Sequence, residues 1–352
     1  MQKIFKNAEI LNLGTGELKK LDILVKNGKI CDIGTLETDG FVGEIVDLCG
    51  DYVLPNFVNV FCDSAKAYRE TYLSDESTNL VQMQGVKELM FAKNILTGAI
   101  FNDIASQNQT LKKFCIDNFS ELEEKQLSKF SNYVAQNQTR LFLKVGQTLD
   151  ELGTIDKFYK KPLLQVLEDF GFLDRRPVVV GGNCFEKDEL ELLSQYDCDF
   201  CLTVGEDGKF GRRPTNLLQL ADKFCVGLGS GYNFEIDFFA FMRQILMSQR
   251  GLFEDEGIIS EEEVLHIATF NGAQILTGEK NDLSIGKKAS FMVVKKTPSL
   301  YSDIFKTIVW EKSKKDVVMT VFEGEIVQKN GEILMKNLPQ YDKIIEKIIE
   351  NQ

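Results

Sequence analysis

At 352 residues, with 43% hydrophobic and 27% charged side chains, the chain has room for a full α/β barrel and a small second domain. A formal charge of −12 leaves no basic stripe for a nucleic-acid partner, and no apolar run approaches the ~20 residues of a membrane helix. The N-terminus MQKIFKNAEI lacks a signal-peptide core, and eight cysteines read as reduced thiols, so a cytoplasmic protein is expected.

Residues 1 to 53 read as short strands. Lys3 to Leu11 is one, Gly14-Thr15-Gly16 is a turn, and Leu21, Ile23 and Val25 alternate onto one face. Asn27-Gly28 is a hairpin signal, followed by Lys29 to Ile33. From Val46 to Ser64 an acid and a turn (Asp47, Gly50, Asp51) lead through an apolar run to Pro55 and a strand, Phe57 to Asp63. Phe61 and Asp63, two apart, point to the same face of that strand.

The middle of the chain alternates strand and helix, which implies a parallel sheet. Thr97 to Asp103, Arg140 to Val145, Val178 to Val180, Phe200 to Val204 and Phe224 to Gly229 read as strands. Leu163 to Phe170 (stopping at Gly171), Lys187 to Gln195, Leu217 to Lys223 and Ser260 to Leu276 read as helices. Strands return at Ile285 to Val294, Val317 to Phe322 and Ile326-Val327. After Asn337-Leu338-Pro339, the stretch YDKIIEKIIENQ places Ile344, Ile345, Ile348 and Ile349 on one helix face. That face needs cover from the chain's own barrel or from a second subunit.

The stretch VDLCGDYVLPNFVNVFCDS resembles the entry to the catalytic barrel of the amidohydrolase superfamily, above all its chlorohydrolases and adenosine, cytosine and guanine deaminases. The pattern there is an acid, a turn, Leu-Pro-Gly, an apolar pair, Asn or Asp, a small residue and His-x-His. Residues 161 to 231, ending in GLGSG, resemble the segment of that branch that closes on Leu-Gly-Thr-Asp, and Ala268 to Ala273 follows its later helix. The resemblance implies a (β/α)8 TIM-type barrel over 55–284. It also implies a composite β-sandwich from 1–54 and 285–337; the isoleucine spacing adds a C-terminal helix over 338–352.

The functional positions that the resemblance implies all depart from the family's residues. The two histidines fall on Phe61 and Asp63, and the glycine after proline on Asn56. The family's His-x-x-Glu falls on Lys144 and Gln147, its next histidine on Gly181 or Gly182, and a further one near Cys184. The aspartate that activates the metal-bound water falls on Gly231. A catalytic metal takes about three protein ligands with lone pairs and an open position, so no metal and no cofactor is expected. Asp63 and Lys144 are expected to approach one another, with Phe61 filling volume.

Other residues weigh less. His266, the only histidine, reads as packing or surface. Cys198 and Cys201 match Cys-x-x-Cys, but residues three apart on a strand face opposite sides. Gly205-Glu206-Asp207-Gly208 reads as a solvated loop, and Arg212-Arg213 as a candidate holder of an anion. Glu254 to Glu256 and Glu261 to Glu263 read as solvated helix-end acids. Cys62, Asp63, Asp103 and Cys184 are of types that suit a rebuilt zinc site. The pocket candidates are Asp63, Asp103, Lys144, Gln147, Cys184 and Arg212.

Three readings fit this pattern. One is a catalytically silent relative of metal-dependent deaminases, kept as a ligand binder, regulator or partner subunit. Another is a hydrolase or deaminase acting on the carbon–nitrogen bond of a small cyclic or purine-like molecule through a rebuilt or metal-free site. The third is a structural subunit. A small molecule at the barrel mouth, a homodimer or an enzyme partner are the expected associations, without nucleic acid or membrane.

Overall fold

The Asn27-Gly28 turn shows how local chemistry sets the first strands. Both residues take positive φ, +50° and +77°, as a two-residue type I′ hairpin requires. In the computed structural model, which describes residues 2–62, 86–91, 113–116, 119, 122–137, 140–231, 237–280 and 282–334, that turn joins β2 to β3. The strands in chain order begin with β1 (Gln2–Leu11), β2 (Leu18–Lys26), β3 (Lys29–Gly34), β4 (Glu44–Asp47) and β5 (Tyr52–Pro55). Then come β6 (Phe57–Cys62), β7 (Val86–Phe91), β8 (Lys113–Ile116), β9 (Arg140–Val145), β10 (Val178–Gly181), β11 (Asp199–Leu202) and β12 (Val226–Leu228). The last are β13 (Phe291–Val294), β14 (Val317–Phe322), β15 (Glu325–Lys329) and β16 (Glu332–Ile333).

The two ends of the chain build one nine-stranded sheet in the order β16-β15-β14-β13-β5-β1-β2-β3, with β4 paired to β1. β13 joins β5 antiparallel, Phe291 opposite Pro55 and Val294 opposite Tyr52. Its core includes Phe5, Ile23, Val25, Val53, Phe291 and Val321. The Phe5 and Phe291 rings meet edge to face with centroids 5.0 Å apart, a preferred aromatic geometry. Lys3, 4% exposed, crosses between the terminal segments and donates to the Gly324 carbonyl at 2.9 Å.

β8 to β12 form a second sheet of five strands in sequential order, every pairing parallel. Helices Leu149–Tyr159, Leu163–Asp169, Lys187–Leu193 and Leu217–Ala221 lie between its strands in the chain. β6 pairs with β7, a strand that no sequence signal singles out. The sequence pattern puts boundaries at 54/55 and 284/285; packing divides the chain after Asn59 and before Phe234.

The helix Phe238–Phe253 starts at Asp237, whose carboxylate caps the amides of Phe239 and Ala240. Ser260 and Glu263 form a reciprocal capping box at the next helix. Glu261, expected to be solvated, is instead 6% exposed. It accepts from the Trp310 indole at 2.7 Å and from Arg250 at 3.0 Å. The expected strand 97–103 and the C-terminal helix 338–352 lie outside the described residues. Among the described residues no helix is long and apolar enough to cross a membrane.

Candidate functional site

Alternation along β9 aims Lys144 inward. The strand reads Arg-Leu-Phe-Leu-Lys-Val and is buried from Leu141 to Val145, so Phe142 and Lys144 share a face. Phe61 packs on that face, its ring stacked on Phe142 at 6.5 Å between centroids. The Lys144 ammonium lies 5.8 Å from the Phe61 ring centre and is 3.0 Å from Glu206 Oε1. Lys144 is 5% exposed and Glu206 1%. An ammonium taken this far out of water costs several kcal/mol unless a counter-charge answers it; Glu206 does so.

The segment expected to be a solvated loop is therefore buried. Residues Val204–Lys209 form a short helix directly after β11. Its first turn turns Glu206 and Asp207 away from water, Asp207 being 4% exposed. Arg212 Nη1 is 2.8 Å from Glu206 Oε1 and 3.5 Å from Asp207 Oδ1. The arginine expected to hold an external anion is thus engaged by the chain's own acids. The Asn183 amide donates to Asp207 Oδ2 at 3.0 Å. Burial pushes the Asp207 carboxyl up to about 6, with neighbouring Glu206 adding to the rise and Asn183 and Arg212 opposing it. Arg213 donates to the Asn183 carbonyl at 2.6 Å and pairs with Glu186.

Three of the positions singled out by resemblance come together here. The Gly231 amide donates to the Phe61 carbonyl at 3.1 Å, and Lys144 faces Phe61. Gly231 has φ +56°, and a Cβ added there would run into the Glu206 carboxylate. Glu206 thus fills the space beside residue 231 where a longer side chain would have to go. Gly181 has φ +98°, and its Cβ would lie 2.8 Å from Gln147 Cγ. Gln147 follows β9 in a turn pinned by Glu151, whose carboxylate accepts from the Gly146 and Gln147 amides at 3.1 and 2.8 Å. Cys184 is buried, its thiol donates to the Gln147 carbonyl at 3.6 Å, and burial pushes that thiol's pKa up.

Asp63 and Asp103 lie outside the described residues, as does the side chain of Cys62. Among the described residues, Glu206, which sequence reasoning set aside, is an acid placed against Lys144. Cys198 and Cys201 send their thiols to different carbonyls, Leu193 and Leu202. His266 stacks on Phe270 at 5.3 Å, with Nε2 2.8 Å from the Leu13 carbonyl, a packing role. Among the described residues no three His, Cys, Asp or Glu side chains gather as a metal would need. Glu206, Asp207, Asn183 and Thr203 were missed. The available signal was five charges, Glu206, Asp207, Lys209, Arg212 and Arg213, packed into eight residues soon after a buried strand, where βα loops carry function.

Comparison with known proteins fixes the class. An adenosine deaminase from Xanthomonas campestris, solved with bound zinc, superposes with a TM-score of 0.80 over 99% of this chain and 97% of that one, at 12% identity. Atrazine chlorohydrolase from Arthrobacter aurescens TC1, complexed with zinc, gives 0.76 over 99% of both chains at 13% identity. The fold is the α/β barrel with a β-sandwich that these enzymes share. The model of the amidohydrolase family matches residues 146–327, more than half of the chain, and the chain belongs to that family. A 5-methylthioadenosine/S-adenosylhomocysteine deaminase of Bacillus cytotoxicus is 26% identical over 216 residues, which cover 58% of this chain and 49% of that relative. The chain thus spans about half the length of the curated relatives it matches.

Proposed function

We propose that this chain is a metal-free member of the amidohydrolase family that binds a ligand or partner at the barrel mouth and does not hydrolyse through a metal-bound water. The observation that carries this reading is the buried Lys144 ammonium, 3.0 Å from Glu206, at a position that the sequence pattern assigns to a metal ligand. An ammonium donates protons and has no lone pair to give. A divalent ion beside it would be repelled at low effective dielectric. Phe61, Gly181 and Gly231 offer no side-chain donor, so the described residues do not fit a resident metal.

A second reading keeps the relatives' chemistry without their metal. Asp207, buried and pushed up to about 6, is tuned to the range in which a carboxyl trades protons near neutral pH. It would serve a hydrolase or deaminase acting on a carbon–nitrogen bond of a small cyclic or purine-like molecule. Metal analysis of the purified protein, with turnover assays on 5-methylthioadenosine, S-adenosylhomocysteine, adenosine, guanine and atrazine, separates the two. The first reading expects no stoichiometric metal and no turnover, with or without added zinc. Turnover abolished by chelator and restored by zinc would overturn both; turnover insensitive to chelator would favour the second.

A further inference from the structure

The apolar stripe of β2 runs out of cover at one end. Leu21, Ile23 and Val25 share a face. Ile23 and Val25 are 0% and 2% exposed, whereas Leu21 is only partly buried. Ile33 on β3 and Leu283 are likewise partly buried where they pack on the same core. All three line a cavity of about 420 Å³ that opens to solvent, with Ile10, Pro55 and Phe270 as its other apolar walls. That size falls within the range of ligand pockets, about 300–1,000 Å³. None of its lining residues belongs to the Lys144–Glu206 group.

The walls are held in place by the chain itself. Phe270 stacks on His266 with centroids 5.3 Å apart, and His266 Nε2 is 2.8 Å from the Leu13 carbonyl. The turn from Asn12 to Glu17 closes on itself: the Asn12 amide donates to the Glu17 carbonyl at 2.9 Å, and the Gly16 amide to the Asn12 carbonyl at 2.8 Å. A preformed wall spares a ligand the ordering cost that binding otherwise meets. Charge at the rim then selects the head group. Lys19 is 2.7 Å from Glu17, and the Asp282 carboxylate accepts from the amide and hydroxyl of Ser284. Lys280, exposed at the rim, pairs with no carboxylate among the described residues. An apolar hollow with an unengaged cation at its lip fits a molecule with an aliphatic body and an anionic head.

We propose that this cavity binds a medium-chain aliphatic carboxylate. The chain lies against Leu21, Ile33 and Leu283, and the carboxylate accepts from the Lys280 ammonium. The site is independent of what the barrel mouth binds.

The test is NMR of the full chain with labelled isoleucine methyls, titrated with hexanoate, octanoate, octanol and octylamine. Octanoate is expected to saturate and to shift the methyls of Ile10 and Ile33, assigned through Ile10→Val and Ile33→Val. Two methylenes longer than hexanoate, it should bind about fifteenfold more tightly, each buried methylene being worth about fourfold. Lys280→Ala is expected to weaken octanoate by about threefold, the worth of an exposed ion pair, and to leave octanol unchanged. Ile33→Trp, which fills the cavity, is expected to abolish binding of both while circular dichroism shows a folded chain. Should that variant not fold, the wild-type titrations and the surface variant Lys280→Ala still decide. Absence of saturation by octanoate, shifts confined to other isoleucines, or undiminished binding by a folded Ile33→Trp overturns the site. Octylamine binding as tightly as octanoate, or octanoate binding undiminished in Lys280→Ala, overturns the carboxylate.

Discussion

Lys144 and Glu206 are each almost wholly out of water, and such a pair responds asymmetrically to mutation. Lys144→Met strands a buried carboxylate and should cost about 3 kcal/mol, the low end for a broken buried pair. The low end applies because Arg212 stays 2.8 Å from Glu206. Adding Glu206→Leu should recover most of that loss, and urea denaturation of the single and double variants checks it. Equal stability of wild type and Lys144→Met would show that the pair is not held as described. Asp207 gives a pH signature. Its carboxyl sits near 6 in the folded chain against 3.8 as an unperturbed group, so the folded state holds the proton more tightly than the unfolded one. Its contribution is therefore full below about pH 4 and is lost as pH rises through about 6. Each tenfold gain in proton affinity is worth about 1.4 kcal/mol, so the loss amounts to at most about 3 kcal/mol. Asp207→Asn should lack this slope when stability is measured from pH 4 to pH 7. A wild type that gains on the variant over that interval would contradict the assignment.

The helix Val204–Lys209 shows what a sequence can and cannot disclose about an element. Gly-Glu-Asp-Gly has the composition of an exposed turn. Which way so short a helix points its acids is set by partners far off in the chain, Lys144 on β9 and Asn183 after β10. β9 itself was legible, because an apolar run with one lysine admits only one alternation, and so was the Asn27-Gly28 hairpin, because its turn chemistry is local. At the candidate site, Phe61, Lys144, Gly181, Gln147 and Gly231 were singled out only through the resemblance, while no local signal pointed to the acids as partners of Lys144. Two glycines around this helix should behave oppositely. Gly231→Ala combines a positive φ with a collision against Glu206 and should cost about 2–4 kcal/mol. Gly208, inside the helix with nothing near its missing Cβ, should gain about 0.5–1 kcal/mol as alanine. Thermal melts of the two variants test both signs, and a stable Gly231→Ala would mean that Glu206 lies elsewhere.

Taken as a whole, the molecule joins its ends. β5 is buried along its length and pairs with β13, and Lys3 reaches a carbonyl 321 residues away in the chain. A ribosome building this protein releases β1 to β5 long before β13 has been made. Through most of synthesis the Tyr52–Pro55 edge stays unpaired, an apolar strand border of the kind that recruits other chains. Contacts this distant are also slow to form, because the loop must close before they stabilise anything. Newborn chains should therefore lean on chaperones until the last strands emerge. Nascent chains arrested with residue 284 clear of the exit tunnel should be cut by protease within residues 1–55, and those arrested with residue 334 clear should resist. Equal resistance at both lengths would mean that the first strands hold together without their distant partners.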